Sequence, residues 1–150
     1  MSIKFKYNSK KVTVNTATNT IRLLGDVFNN TCYIGDFMRN GNNHYIKIKV
    51  AKCQRFFGVG LADQNENVNG VVTGTAKYSY WSDGRANCKT GDVVEFIYNR
   101  NAGKLSIKIN GGRLQILHQN IEQKPYIWAV SLNRSKNDCI KILSIICIRI

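Results

Sequence analysis

The chain reads as an all-β protein, a two-sheet antiparallel β-sandwich, and three features of the sequence predict this. Apolar and polar residues alternate with a period of two along much of its length. Clusters of Asn and Gly interrupt that alternation at short intervals. Apolar spacing at i, i+3, i+4 and i+7, which a helix needs to bury one face, is sustained nowhere.

At the amino terminus, Ile3, Phe5 and Tyr7 share one face while Lys4 and Lys6 share the other, as in a strand with one dry and one wet side. The same alternation sets Ile46, Ile48 and Val50 against Lys47 and Lys49, and Leu105, Ile107 and Ile109 against Ser106 and Lys108. Other runs are apolar on both faces: Phe56–Ala62, Val93–Tyr98, Ile127–Leu132 and Ile142–Ile148. These are expected to be central strands packed on both sides, or strands whose outer face is covered. Asn99-Arg100-Asn101-Ala102-Gly103 and Asn110-Gly111-Gly112 separate consecutive strand-like runs. Asn and Gly tolerate the positive φ of tight hairpins, so this stretch predicts a three-stranded meander. Pro125, the only proline, stands just before Ile127–Leu132, where a strand can begin without donating a hydrogen bond. About a dozen short strands with turns this frequent suit a sandwich. With no internal repeat, linker or low-complexity tail, the 150 residues are expected to form one domain, residues 1–150.

Composition narrows the function classes. Hydrophobic residues make up 43% and aromatic residues 10% of the chain, too many for a disordered protein. No apolar run approaches the roughly 20 residues that span a bilayer, and MSIKFKYNSKK lacks the apolar stretch of a secretory signal. The expectation is a cytoplasmic monomer with no membrane partner. The five cysteines, Cys32, Cys53, Cys88, Cys139 and Cys147, are scattered and never paired as CxxC. That spacing suits small buried thiols rather than a disulfide framework or a zinc site. Lys and Arg number 22 against 9 Asp and Glu, a net charge of +13. The basic residues recur singly rather than in a block, so the charge reads as dispersed and partly compositional.

Chemistry is sparse. His44 and His118 have no metal-like partner two or four residues away, so no metal or cofactor is expected. Gly58-Val59-Gly60 leads to Asp63, not to the third glycine of a dinucleotide fingerprint, and no helix follows. Asp63/Glu66 and Asp92/Glu95 are close carboxylate pairs, but at i, i+3 on a strand they point to opposite sides. No catalytic residue is predicted, and the chain is not expected to be an enzyme.

Five segments in order give the chain a family likeness: His44–Val50, the aromatic-x-Gly-Val-Gly strand Phe56–Ala62, Ser79–Gly84, Gly91–Gly112 with its Gly-Asp, Leu-Ser and Asn-Gly, and Pro125–Leu132. In these the chain resembles the SPRY domain, a concanavalin-like jelly roll that serves as a protein-interaction module. The match is clearest over residues 41–145. The chain departs from the family at Ile46-Lys47, where Trp-Glu is usual, at Phe57, where Trp is usual, and at Ile107, where Phe is usual. The matched residues are scaffold, which identifies a fold rather than a ligand.

The resemblance implies a recognition surface built from three loops: Phe37–Asn43, Asp63–Val72 and Asn133–Asn137, with Tyr78–Asn87 nearby. The partner-binding candidates there are Phe37, Arg39, Tyr80, Trp81, Arg85, Asn133 and Arg134. Tyr, Trp and Arg combine large contact area with hydrogen-bonding tips, which suits interfaces. Tyr80 and Trp81 are adjacent on an expected strand, so one faces the core and one the outside, and the sequence does not say which. The expected ligand is a short segment of a partner protein, acidic or containing Asn or Asp, with nucleic acid disfavoured. The alternatives are a carbohydrate-binding lectin-like domain and a basic nucleic-acid-binding β domain stacking bases on Tyr45 and Tyr98.

Overall fold

A computed structural model describes residues 3–26, 30–63, 78–83 and 88–148. Every regular element among them is a strand: β1 (Phe5–Asn8), β2 (Val12–Asn15), β3 (Thr20–Leu23), β4 (Asn30–Ile34), β5 (Asn43–Lys52), β6 (Phe56–Ala62), β7 (Tyr78–Asp83), β8 (Val93–Asn99), β9 (Lys104–Ile109), β10 (Gln115–His118), β11 (Ile127–Asn133) and β12 (Cys139–Ile148). A five-stranded sheet runs in the order β1-β4-β11-β6-β7, and a seven-stranded sheet in the order β10-β9-β8-β5-β12-β3-β2. All pairings are antiparallel, and the two sheets form the sandwich that the alternation predicts.

The core lies between them. From the five-stranded sheet it takes Ile34, Phe57, Val59, Leu61, Trp128 and Val130, and from the seven-stranded sheet Ile46, Ile48, Phe96, Tyr98, Leu105 and Ile140. Cross-strand register fixes these faces: Val130 stands opposite both Cys32 and Val59, and Ile46 stands opposite Phe96. Each buried aromatic or branched side chain contributes on the order of 2 kcal/mol, so the faces are held by packing well beyond strand propensity.

The meander is present as β8-β9-β10. At its second turn Asn110 has φ 52° and Gly111 φ 69°, the pair of positive values a tight hairpin requires. Phe56–Ala62 and Ile127–Leu132 are buried on both faces, as expected. On the outer face of their sheet Tyr33, Ala62, Ile127 and Ala129 form a second apolar cluster against which Phe37 packs, and the Thr31 and Ser131 hydroxyls bond each other at 2.8 Å.

Two strands differ from expectation. In β8 only Val94, Phe96 and Tyr98 are buried, while Val93 and Ile97 are half-exposed on the outer face. In β12, Leu143 is 39%, Ile146 48% and Ile148 40% exposed. Among the described residues no layer covers the outside of the seven-stranded sheet, so apolar character on both faces of these strands does not mean burial on both. The thiols differ too. Cys32, Cys53, Cys88 and Cys139 are buried, whereas Cys147 is exposed. Burial pushes Cys32 up to about 12 and so keeps it a protonated, unreactive thiol.

Candidate functional site

Antiparallel register divides the loops between two ends of the sandwich. At the first end β4 and β6 finish and β11 begins, because Ile34 stands opposite Trp128 and Ala62 opposite Ile127. At the second end β11 finishes beside the start of β6, with Asn133 opposite Phe56. The segment Gly35–Asn42 and Asp63 therefore lie at the first end, and Asn133–Asn137 at the second. A seven-residue strand advancing about 3.3 Å per residue puts roughly 20 Å between them. This corrects the expectation of one surface built from three loops.

The candidate residues divide accordingly. Phe37 and Arg39 lie at the first end, and Arg134 is exposed at the second, in a turn where its φ is 77°. Asn133, at that same turn, is only 5% exposed. Tyr80 and Trp81 sit on the edge strand β7 and face opposite ways. Tyr80 is directed inward, its ring 5.8 Å from Phe96 and its hydroxyl 3.4 Å from the Cys88 thiol, and burial pushes its pKa up to about 12. Trp81 stands opposite Gly58 on the outer face, edge-on to Phe56 at 6.3 Å. Arg85 and residues 64–72 lie outside the described residues.

The first end holds a cavity of about 420 Å³, opening between the residues before β1, the loop after β4 and Trp128 of β11 on one side and His44 of β5 and Ile145–Cys147 of β12 on the other. The loop from Gly35 to Asn42 forms its rim. The Gly35 N–H donates to the Lys4 carbonyl at 2.7 Å, the Met38 N–H donates to the Tyr126 carbonyl at 2.6 Å, and the Met38 side chain is buried. Gly35, at φ 82°, lies against Ile145. Held at these points, the loop presents Phe37 with Lys6 at 5.6 Å and Arg39 at 5.8 Å over its ring, a cation–π arrangement. Lys4 and Asp36 pair across the rim at 2.9 Å, and that ammonium holds the Asp36 carboxyl below the usual carboxylate range.

Two residues that line this cavity each carry a buried polar atom with no hydrogen-bond partner: Trp128 at Nε1 and His44 at Nε2. The residues are 2% and 6% exposed, and an unpaired buried polar group costs about 1–3 kcal/mol. Burial pushes the His44 pKa down, while the carbonyls of Asn40 and Gly41 oppose that shift by hydrogen bonding to the ring. A neutral imidazole carries one N–H donor and one acceptor nitrogen, so Nε2 serves as either according to the tautomer. The cavity lining thus includes two residues with a buried polar atom to satisfy, the indole N–H of Trp128 and the Nε2 of His44. Behind it a file of rings crosses the core: His44 stacks on Tyr98, Tyr98 meets Tyr126, and Tyr126 meets Tyr78.

Sequence reasoning reached Phe37 and Arg39 but missed His44, Trp128 and the β12 residues Ile145–Cys147 that complete this site. A histidine and a tryptophan at inward positions of strands read as ordinary core, and only three dimensions bring them to one opening.

No family model matches the chain, and no curated protein sequence matches it. Solved structures do. The neuralized NHR1 domain of Drosophila melanogaster superposes with a TM-score of 0.69 at 14% identity, covering 96% of this chain and 99% of that one. The SPRY domain of human HERC1 gives 0.64 at 11% identity, covering 89% and 92%. The fold is SPRY-type. The TRIM65 PSpry domain agrees, with a TM-score of 0.63 at 10% identity over 96% of this chain and 93% of that one. Identities this low carry the SPRY-type fold alone.

Proposed function

We propose that this SPRY-type domain is a non-enzymatic protein-interaction module that holds a short segment of a partner protein in the cleft at the first end. The observation that carries this reading is a pair of unsatisfied polar atoms, Trp128 Nε1 and His44 Nε2, on residues that line one open cavity. A peptide group presents a carbonyl acceptor and an N–H donor together, so it can partner the indole N–H and an imidazole nitrogen in either tautomer. The likeness to SPRY and NHR domains, a class that works by protein interaction, supports the same reading. Lys6 and Arg39 beside Phe37 favour a segment that is acidic or carries Asn or Asp. An Asn side chain offers the same acceptor and donor, and an acidic one meets the cations.

The test is capture from a displayed peptide library. The wild-type domain is expected to enrich a defined motif, and Phe37→Ala with Arg39→Ala to lose it. Trp81→Ala with Arg134→Ala, away from the first end, should retain it. If the second pair abolishes capture while the first is silent, the cleft is misassigned. If the domain enriches no peptide but retains glycans, or retains nucleic acid with a steep loss on adding salt, the protein-binding reading is replaced.

A further inference from the structure

The cleft is bounded on one side by a strand that is only half paired. β12 pairs with β5 from Cys139 to Ile148, but on its other side with β3 only from Cys139 to Lys141. The Ile142 N–H still reaches the Asn19 carbonyl at 2.8 Å. From Leu143 to Ile148, no strand among the described residues lies on that side. Backbone N–H and C=O groups along such an edge are a template for another strand.

Edges of this kind are ordinarily blunted by lysine, proline or a bulge. Here a bulge falls between Ile142 and Ser144, at the start of the free half, and the stretch beyond it, Ser144–Ile148, contains neither a charge nor a proline. Its two faces differ. Ile145 and Cys147 stand opposite Ile46 and His44 on the inner face, while Ile146, which reaches the cavity rim, stands opposite Tyr45 on the outer face and is 48% exposed.

We infer that the free edge of β12, Leu143–Ile148, takes the partner segment as an added β-strand, with alternate side chains entering the cavity. This rests on the protein-binding reading above and specifies its geometry. Charge selects the occupant. Lys4 and Arg39 line the cavity, Lys141 stands just before the free half, and Lys47 stands opposite Ser144. Asp36 pairs with Lys4 at 2.9 Å and Glu95 stands opposite Lys47, so these charges offset one another and Arg39 and Lys141 leave the edge net positive. A second copy of the chain would bring another +13 to the same edge. The occupant is therefore an extended acidic segment, with apolar residues toward the cavity and carboxylates outward. Main-chain bonds supply affinity in this mode and alternate side chains supply selectivity.

The probe is a synthetic peptide of alternating valine and glutamate, titrated by fluorescence anisotropy, with hydrogen exchange followed at Leu143–Ile148. Two further peptides are N-methylated, one at every valine amide and one at every glutamate amide. A strand turns successive N–H groups to opposite edges, so one methylated peptide should bind at least about tenfold more weakly while the other keeps its affinity. The valine–lysine counterpart should bind more weakly than the acidic peptide. Amides in Leu143–Ile148 should exchange more slowly in the complex. Equal binding by both methylated peptides overturns the added strand and leaves capture of side chains in the cleft standing. The inference also fails if the acidic peptide does not bind at about 1 mM. Slow exchange at this edge without peptide, in a protein that sediments as a dimer, assigns the edge to a second copy and overturns it too.

Discussion

Gly60 is where the five-stranded sheet is most sensitive to a single added carbon. It sits on the outer face of β6, opposite Ala129 on one side and Ser79 on the other. A Cβ built there would stand 2.9 Å from Ser79 Cβ, 2.9 Å from the Tyr78 carbonyl oxygen and 3.2 Å from Ser79 Cα. Carbon atoms pack at about 3.5–4.0 Å, and none of these neighbours is the tip of a flexible side chain. The strain is relieved only by moving β7 outward, at an overpacking cost of about 1–3 kcal/mol. Reduced freedom of the unfolded chain returns about 0.4–1 kcal/mol. Gly60→Ala is therefore expected to lose about 1–2 kcal/mol net. In urea, with a slope of about 2 kcal/mol/M, the midpoint should fall by about 0.5–1 M at unchanged slope. Ser79→Gly removes the Cβ contact but not the carbonyl, so the double variant should recover part of the loss. If Gly60→Ala unfolds at or above the wild-type midpoint, the close approach of β6 and β7 is wrong, and with it the placement of Trp81 on the outer face.

At the second end, the Asp138 carboxylate accepts the Gln54 N–H at 3.0 Å and the Arg55 N–H at 3.3 Å. Asp138→Ala should cost about 1–3 kcal/mol by thermal unfolding and Asp138→Asn less, because the amide keeps an acceptor. His44 has a folded pKa below its unfolded value of about 6.5. Its contribution to stability is present above that pH and lost as the pH falls through the folded pKa. Wild type should thus lose stability, and any affinity for a peptide in the cleft, below about pH 6. His44→Phe should show a flatter stability profile over the same range, and an identical profile would rule the ring out as the titrating group.

The sequence carried the strands well where turn chemistry bounded them. Asn110-Gly111 could be placed in a hairpin because its two positive φ values are a local demand that few residue pairs meet. Ile142–Ile148 was misread for the opposite reason. Periodicity reports which residues are apolar, but whether another layer covers them is a property of the whole fold. Tyr80 and Trp81 were undecidable because either register buries an aromatic ring. The choice is made by Gly58 and Val59 on the neighbouring strand: the inward position stands opposite Val59 and takes Tyr80, and the outward one opposite Gly58 leaves room for the indole.

The division of the loops between two ends was within reach of the sequence, by counting. In a sandwich whose strands are all antiparallel and cross from end to end, each strand carries the chain to the other end. The loops before β5 and after β11 are separated by the strands β5 through β11, an odd number of crossings, so they must lie at opposite ends. Asp63 follows β5 and β6, an even number, so it returns to the end where Phe37 lies. The parity of the strands depends on no side chain. What it cannot supply is the other wall of the cleft. That wall comes from β12, because β3 stops pairing at Lys141 and leaves the remainder of the strand open beside the loop that holds Phe37. The site is thus set by where a short strand ends, a quantity that hydrophobic periodicity fixes least well.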